Sequence, residues 1–192
     1  MPSDHHKQRL DAQGLDELVK LFYDQPERLA RFQWSPEDGV PDGYRSLLAH
    51  EHHMTVTVEQ FHQSPVDVEV LQKAVTARHY ARMILLRRQL DQHVVQFGIM
   101  RVNLSYLTDE VSAEIVAERT PLGRILIKHD VLRRIHLVSL WKTTPGADLC
   151  RFFGLEGPEI TYGRTALIEC DHEPAIELLE IVTPLPSPPS AP

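Results

Sequence analysis

Apolar residues recur at three- and four-residue spacing early in the chain: Leu10, Leu15, Leu18, Val19, Leu21 and Phe22, with Pro26 as a break. That spacing predicts a helical segment over 8–33. SPEDGVPDGY, 35–44, reads as a loop. The period then changes to two. Met54, Val56 and Val58 alternate with Thr55, Thr57 and Glu59, and Val66, Val68 and Val70 alternate with Asp67 and Glu69. Alternation of this kind predicts half-buried antiparallel strands. Two more strands are expected at 79–87 and 94–104, joined as a hairpin by RQLDQH. Thr108 is placed to cap a short helix, DEVSAEIVAER. RTPLGRILIKHD, 119–130, predicts a further helix, with Thr120 as its N-cap and Pro121 at its first position, where a missing N–H costs nothing. A strand follows at 132–141, and then a helical excursion, TPGADLCRFF, with Pro145 near its start. ITYGRTALIE and AIELLEIVTP form a closing hairpin around CDHEP. The sum is an α+β fold: a single antiparallel sheet with flanking helices, in one domain over 1–184. LPSPPSAP, 185–192, is expected to be a disordered proline-rich tail.

Composition narrows the classes. With 42% hydrophobic and 24% charged residues among 192, the chain is long and apolar enough for one core. A net charge of -7 argues against a nucleic-acid partner. It leaves room for a small anionic ligand, because a few buried arginines set the local potential. Cys150 and Cys170 are too few for a disulfide framework and read as reduced thiols. MPSDHHKQRL has no apolar signal core, and no apolar run approaches the roughly 20 residues of a membrane span. The expectation is a cytoplasmic protein without a membrane partner.

Candidate chemistry lies in three places. At Thr120-Pro121-Leu122-Gly123 the free N–H groups of a helix start can meet an anion, and Gly123 lets a ligand approach the backbone. Arg82 interrupts an apolar strand, so it lies either on a wet face or against a buried anion. Glu177 and Glu180 stand three apart in the last strand and so face opposite sides of the sheet. His50, His52 and His53 cluster, but no HExxH and no second ligand cluster accompanies them, so no metal is expected.

The ordered set ARMILL, TPLGRILI, GRTALI and a terminal EIVTP, with HHMTVTVEQF upstream, resembles the chorismate lyase (chorismate–pyruvate lyase) family over about residues 45–184. Met54-Thr55 then looks like that family's first strand. The resemblance implies a single antiparallel sheet with flanking helices and flaps around the ligand. It also implies an enzyme that converts chorismate to 4-hydroxybenzoate and pyruvate as a monomer, without metal or organic cofactor. By the same resemblance Arg82 grips the ring carboxylate and Glu180 meets the ring hydroxyl, and these two are the catalytic pair. Met54, Thr55, Leu122 and Gly123 line the site, and Arg101 or Arg164 would hold the second carboxylate. Met83, Ile99-Met100-Arg101 after Gly98, Leu179 and a segment at about 142–160 depart from the family pattern and mark a divergent branch. The alternative is a non-catalytic, aromatic-acid-binding effector domain of the same fold, as found in transcription regulators. The presence of both Arg82 and Glu180, and the non-basic stretch of about 45 residues before the matching region, point to the enzyme.

Overall fold

A computed structural model describes residues 4–76 and 78–186, with side chains from Asp11 onward. The side chain of Leu10 and the last six residues of the tail, 187–192, lie outside the described residues. The elements are α1 (Asp4–Lys20), β1 (Ala30–Ser35), α2 (Asp42–Leu48), α3 (Met54–His62), β2 (Val66–Val75), β3 (His79–Arg88), β4 (Val94–Asn103), α4 (Asp109–Val116), α5 (Leu122–Lys128), β5 (Arg133–Pro145), α6 (Ala147–Phe153), β6 (Thr161–Cys170) and β7 (Glu173–Val182). The seven strands form one sheet in the order β1-β5-β6-β7-β4-β3-β2, with every neighbouring pair antiparallel. The α+β architecture predicted from the pattern is the one observed.

Because side chains alternate along a strand, each strand serves both faces of the sheet. One face carries Met83, Leu85, Phe97, Ile99, Leu179 and Ile181, packed under Leu15, Leu18 and Val19 of α1 and Leu149 and Phe153 of α6. The opposite face is covered by α2 to α5. Val111 and Ile115 of α4 and Ile125 and Leu126 of α5 pack on Met100, Val102, Ile176 and Leu178. Leu47 and Leu48 of α2 and Met54 and Val58 of α3 pack beside Leu86, Leu140 and Val182. Each such side chain contributes on the order of 1.5–3 kcal/mol by leaving water.

Three local expectations change. Residues 8–33 are not helical throughout: the helix ends at Lys20, and Ala30–Ser35 forms an edge strand against β5, with Trp34 opposite Trp141. Only one side of an edge strand is paired, and its mixed burial hides the period of two. The stretch from Met54 is the helix α3, not the first strand. Its buried residues Met54, Thr55 and Val58 lie one and four apart, so one helical stripe, not a strand face, meets the core. Packing here overrides the β-branched run of Thr and Val. Helix α5 starts at Leu122, and Pro121 occupies the N-cap position with no side-chain cap. Thr120 therefore lies outside the helix, whereas Thr108 caps α4 as expected, accepting from the Val111 N–H at 3.4 Å.

Cys150 and Cys170 are both free, and burial pushes the Cys170 thiol up to about 11. Among the described residues no helix is long and apolar enough to cross a membrane.

Candidate functional site

The ladder sets the polar groups of the second face side by side. Arg164 on β6 pairs with Glu180 on β7, Glu180 with Gly98 on β4, and Gly98 with Ile84 on β3. Arg82 sits one same-face step further along β3, opposite Met100. Glu180 and Arg82 thus stand two strands apart, about 10 Å between backbones. Between them lies a cavity of about 570 Å³, part of it open to solvent.

Arg82 is 1% exposed. Its Nη1 and Nη2 reach the Ile115 and Thr120 carbonyls only at 3.4 and 3.5 Å, and its Nε has no partner among the described residues. No carboxylate among them lies within ion-pair distance. Burial pushes its guanidinium below the usual arginine value, against the opposing pull of nearby Tyr80 and Glu118. An arginine keeps its proton in a protein, so the fold carries a buried cation with no carboxylate in direct contact, Glu118 nearby being bonded to Lys73 and Tyr80, at a cost of the order of several kcal/mol.

Glu180 is the contrary case. Its Oε2 accepts from Arg164 Nε at 2.7 Å, and its Oε1 lies 3.5 Å from Gln96 Nε2. Arg164, 1% exposed, is otherwise consumed by the segment before α3: Nη1 donates to the His50 carbonyl at 2.8 Å and Nη2 to the His52 carbonyl at 3.2 Å. His50 Nδ1, 3.2 Å from Arg164 Nη1, accepts there, so its proton sits on Nε2 and is donated to the Leu47 carbonyl at 2.8 Å. Burial, then the Arg164 charge, lowers His50 to about 4. Gln96 Oε1 is buried and has no partner among the described residues. The cavity therefore has a vacant cationic donor at one end and a vacant acceptor at the other. Met100, Leu178 and Ile84 lie between them.

Helices α3 and α5 form the cavity's roof. Met54 and Thr55, both buried, stand in the first turn of α3, and Leu122 and Gly123 in the first turn of α5. First-turn N–H groups have no intrahelical partner. An ion pair between Arg124 and Glu59 ties the two helices together. Gly123 serves a neighbour: a Cβ there would come within 3.1–3.2 Å of the His53 ring and its Cβ.

Of the residues singled out in the sequence, Arg82, Met54, Thr55, Leu122, Gly123, Arg164 and Glu180 all line this one cavity. Arg101 does not. It faces α1, where its Nη2 donates to Glu177 Oε1 at 2.8 Å and lies 3.4 Å from Glu17. Gln96 and His53 were not picked out as ligand-facing. Gln96 had a signal, a lone amide inside the apolar run VVQFG. His53 had none beyond its cluster, and among the described residues no group of three or more His, Cys, Asp or Glu is arranged to hold a metal.

No protein-family model matches the sequence, and no curated protein matches it. Similar folds occur among solved structures. PhnF from Mycobacterium smegmatis is 8% identical over 68% of this chain and 63% of its own, with a TM-score of 0.49. The effector domain of PhnF alone gives 9% identity over 69% of this chain and 88% of its own, with a TM-score of 0.46. YydK from Bacillus subtilis, a possible transcriptional regulator, gives 9% identity over 66% and 64%, with a TM-score of 0.45. The chain thus spans less than two thirds of PhnF and of YydK. An effector domain and a possible transcriptional regulator stand here where a chorismate lyase was expected, and that expectation is corrected.

Proposed function

We propose that this chain binds a small aromatic carboxylic acid with a hydroxyl at its far end and does not transform it, in the manner of an effector-sensing domain. The observation that carries the reading is Arg82: a buried guanidinium with no carboxylate in ion-pair contact and an unpartnered Nε, on a residue that lines an apolar cavity. A ligand carboxylate supplies the missing counter-ion through charge-assisted bonds. The first-turn N–H groups of Met54 and Leu122 are further donors for it. Leu178, Met100 and Ile84 receive the ring. Its hydroxyl donates toward Gln96 Oε1 and Glu180 Oε1, both of which have acceptor capacity left.

The test is calorimetric titration with 4-hydroxybenzoate, benzoate and 4-hydroxybenzamide. The hydroxy acid should bind most tightly. Benzoate should lose about tenfold for the missing hydroxyl, and the uncharged amide should lose more. Absence of binding by either acid, or equal affinity for acid and amide, would refute the reading.

A further inference from the structure

The roof of the cavity is also a wall. His53 and Ile135 border both this cavity and a second, more open groove, which carries Arg133 and Arg134. The His53 ring is fixed from two sides. Gly123 leaves it the space a side chain would fill, and Arg133 Nε donates to its Nε2 at 2.6 Å. Arg133 is itself anchored, its Nη1 donating to the Val131 carbonyl at 2.9 Å. Burial, then the Arg133 charge, lowers His53 to about 4, so the ring is neutral near pH 7. Since Nε2 accepts, Nδ1 carries the proton, and Nδ1 faces the first turn of α5 beside Gly123.

We propose that His53 is a specificity-determining residue of the pocket, closing it against the groove and so limiting the length of the aromatic acid it admits. This rests on the ligand reading above. Without the imidazole, cavity and groove run together. Arg133 Nε also loses its acceptor and becomes available to an anion, so the enlarged pocket suits an aromatic acid with a spacer between ring and carboxylate.

The experiment compares 4-hydroxybenzoate with 4-hydroxycinnamate, by calorimetry, on the wild type and on His53→Ala. The wild type should prefer the short acid, and His53→Ala should shift the ratio of the two affinities toward the long acid by about tenfold or more. His53→Gln, which retains bulk and an acceptor for Arg133, should keep the wild-type preference. An unchanged ratio in His53→Ala, with the wild type binding 4-hydroxybenzoate, would overturn the role of His53 and leave the ligand reading standing. No binding by the wild type would overturn both. Should His53→Ala not fold, the wild type still decides. The His53 ring resonances should move on saturation with 4-hydroxybenzoate, and resonances that stay put while the ligand binds refute the proposal.

Discussion

The two faces of the sheet are built from the same strands and differ in what they bury. Under α1 and α6, Met83, Phe97, Ile99 and Leu179 pack among apolar side chains. The buried charge on that side, Asp148 of α6, is paired with Arg28 and Arg151, and the pair of Arg101 with Glu177 sits at the rim with side chains 23% and 38% exposed. One residue away along the same strands, Arg82, Arg164 and Glu180 are buried among apolar side chains. The first face pairs its buried charge with arginines that reach water. The second buries three charges in one place, two of which pair with each other while Arg82 is in no ion pair. A fold tolerates an uncompensated cation where something outside the chain completes it. The difference between the faces is thus what singles out the second as the one proposed to hold a ligand.

The largest effect expected from breaking this contrast is at Arg82. Arg82→Met should cost about 100-fold or more in affinity for 4-hydroxybenzoate, the worth of one or two charged hydrogen bonds. The unliganded protein should be no less stable, because the substitution removes a buried charge that has no partner. Calorimetry and urea unfolding read the two together, and a variant that both binds and unfolds like the wild type would erase the distinction. Next comes the paired charge on the same face. Glu180→Ala leaves Arg164 buried and alone, and should destabilise by about 3–5 kcal/mol in urea. A loss no larger than that of a rim charge would mean that Arg164 finds another partner.

Acid should separate the faces in another way. His50 and His53, beside Arg164, Arg133 and His52, are held near 4, against 6.5 for a free histidine. The unfolded chain therefore binds more protons between these values. Their contribution to stability is complete above about pH 6.5, falls as pH drops, and is spent near pH 4. Thermal unfolding followed across that window should show a falling midpoint, flattened in His50→Gln. Identical profiles for the two proteins would remove His50 as a cause. The smallest effect is expected on the first face, where Arg101→Ala should change stability by about 1 kcal/mol or less and leave ligand affinity unaltered.

Much of this contrast was legible in the sequence. Arg82 inside ARMILL and Glu180 inside ELLEIV violate strand alternation, and the TPLG turn stands beside them in space as it does in the motif set. The strand β2 declared itself by its period, whereas β3, β4 and β7, buried on both faces, declared themselves as apolar runs. Other features depend on tertiary partners that no local pattern encodes. β1 exists because β5 offers it an edge. The Met-Thr-Val run is a helix because a single stripe of it meets the core. Arg101 and Arg164 look alike along the chain, yet the face each strand turns to the cavity sends one to Glu177 and the other to Glu180. The vacancy at Arg82 Nε is likewise invisible until the fold is seen to give the Ile115 and Thr120 carbonyls to Nη1 and Nη2 and nothing to Nε.

That vacancy can be observed directly. In a ¹⁵N spectrum that resolves arginine side chains, the Arg82 Nε–H resonance, assigned by its loss in Arg82→Lys, should move on saturation with 4-hydroxybenzoate and should move far less with 4-hydroxybenzamide. A resonance that stays in place while the acid binds would mean that the buried guanidinium is not the anion's seat.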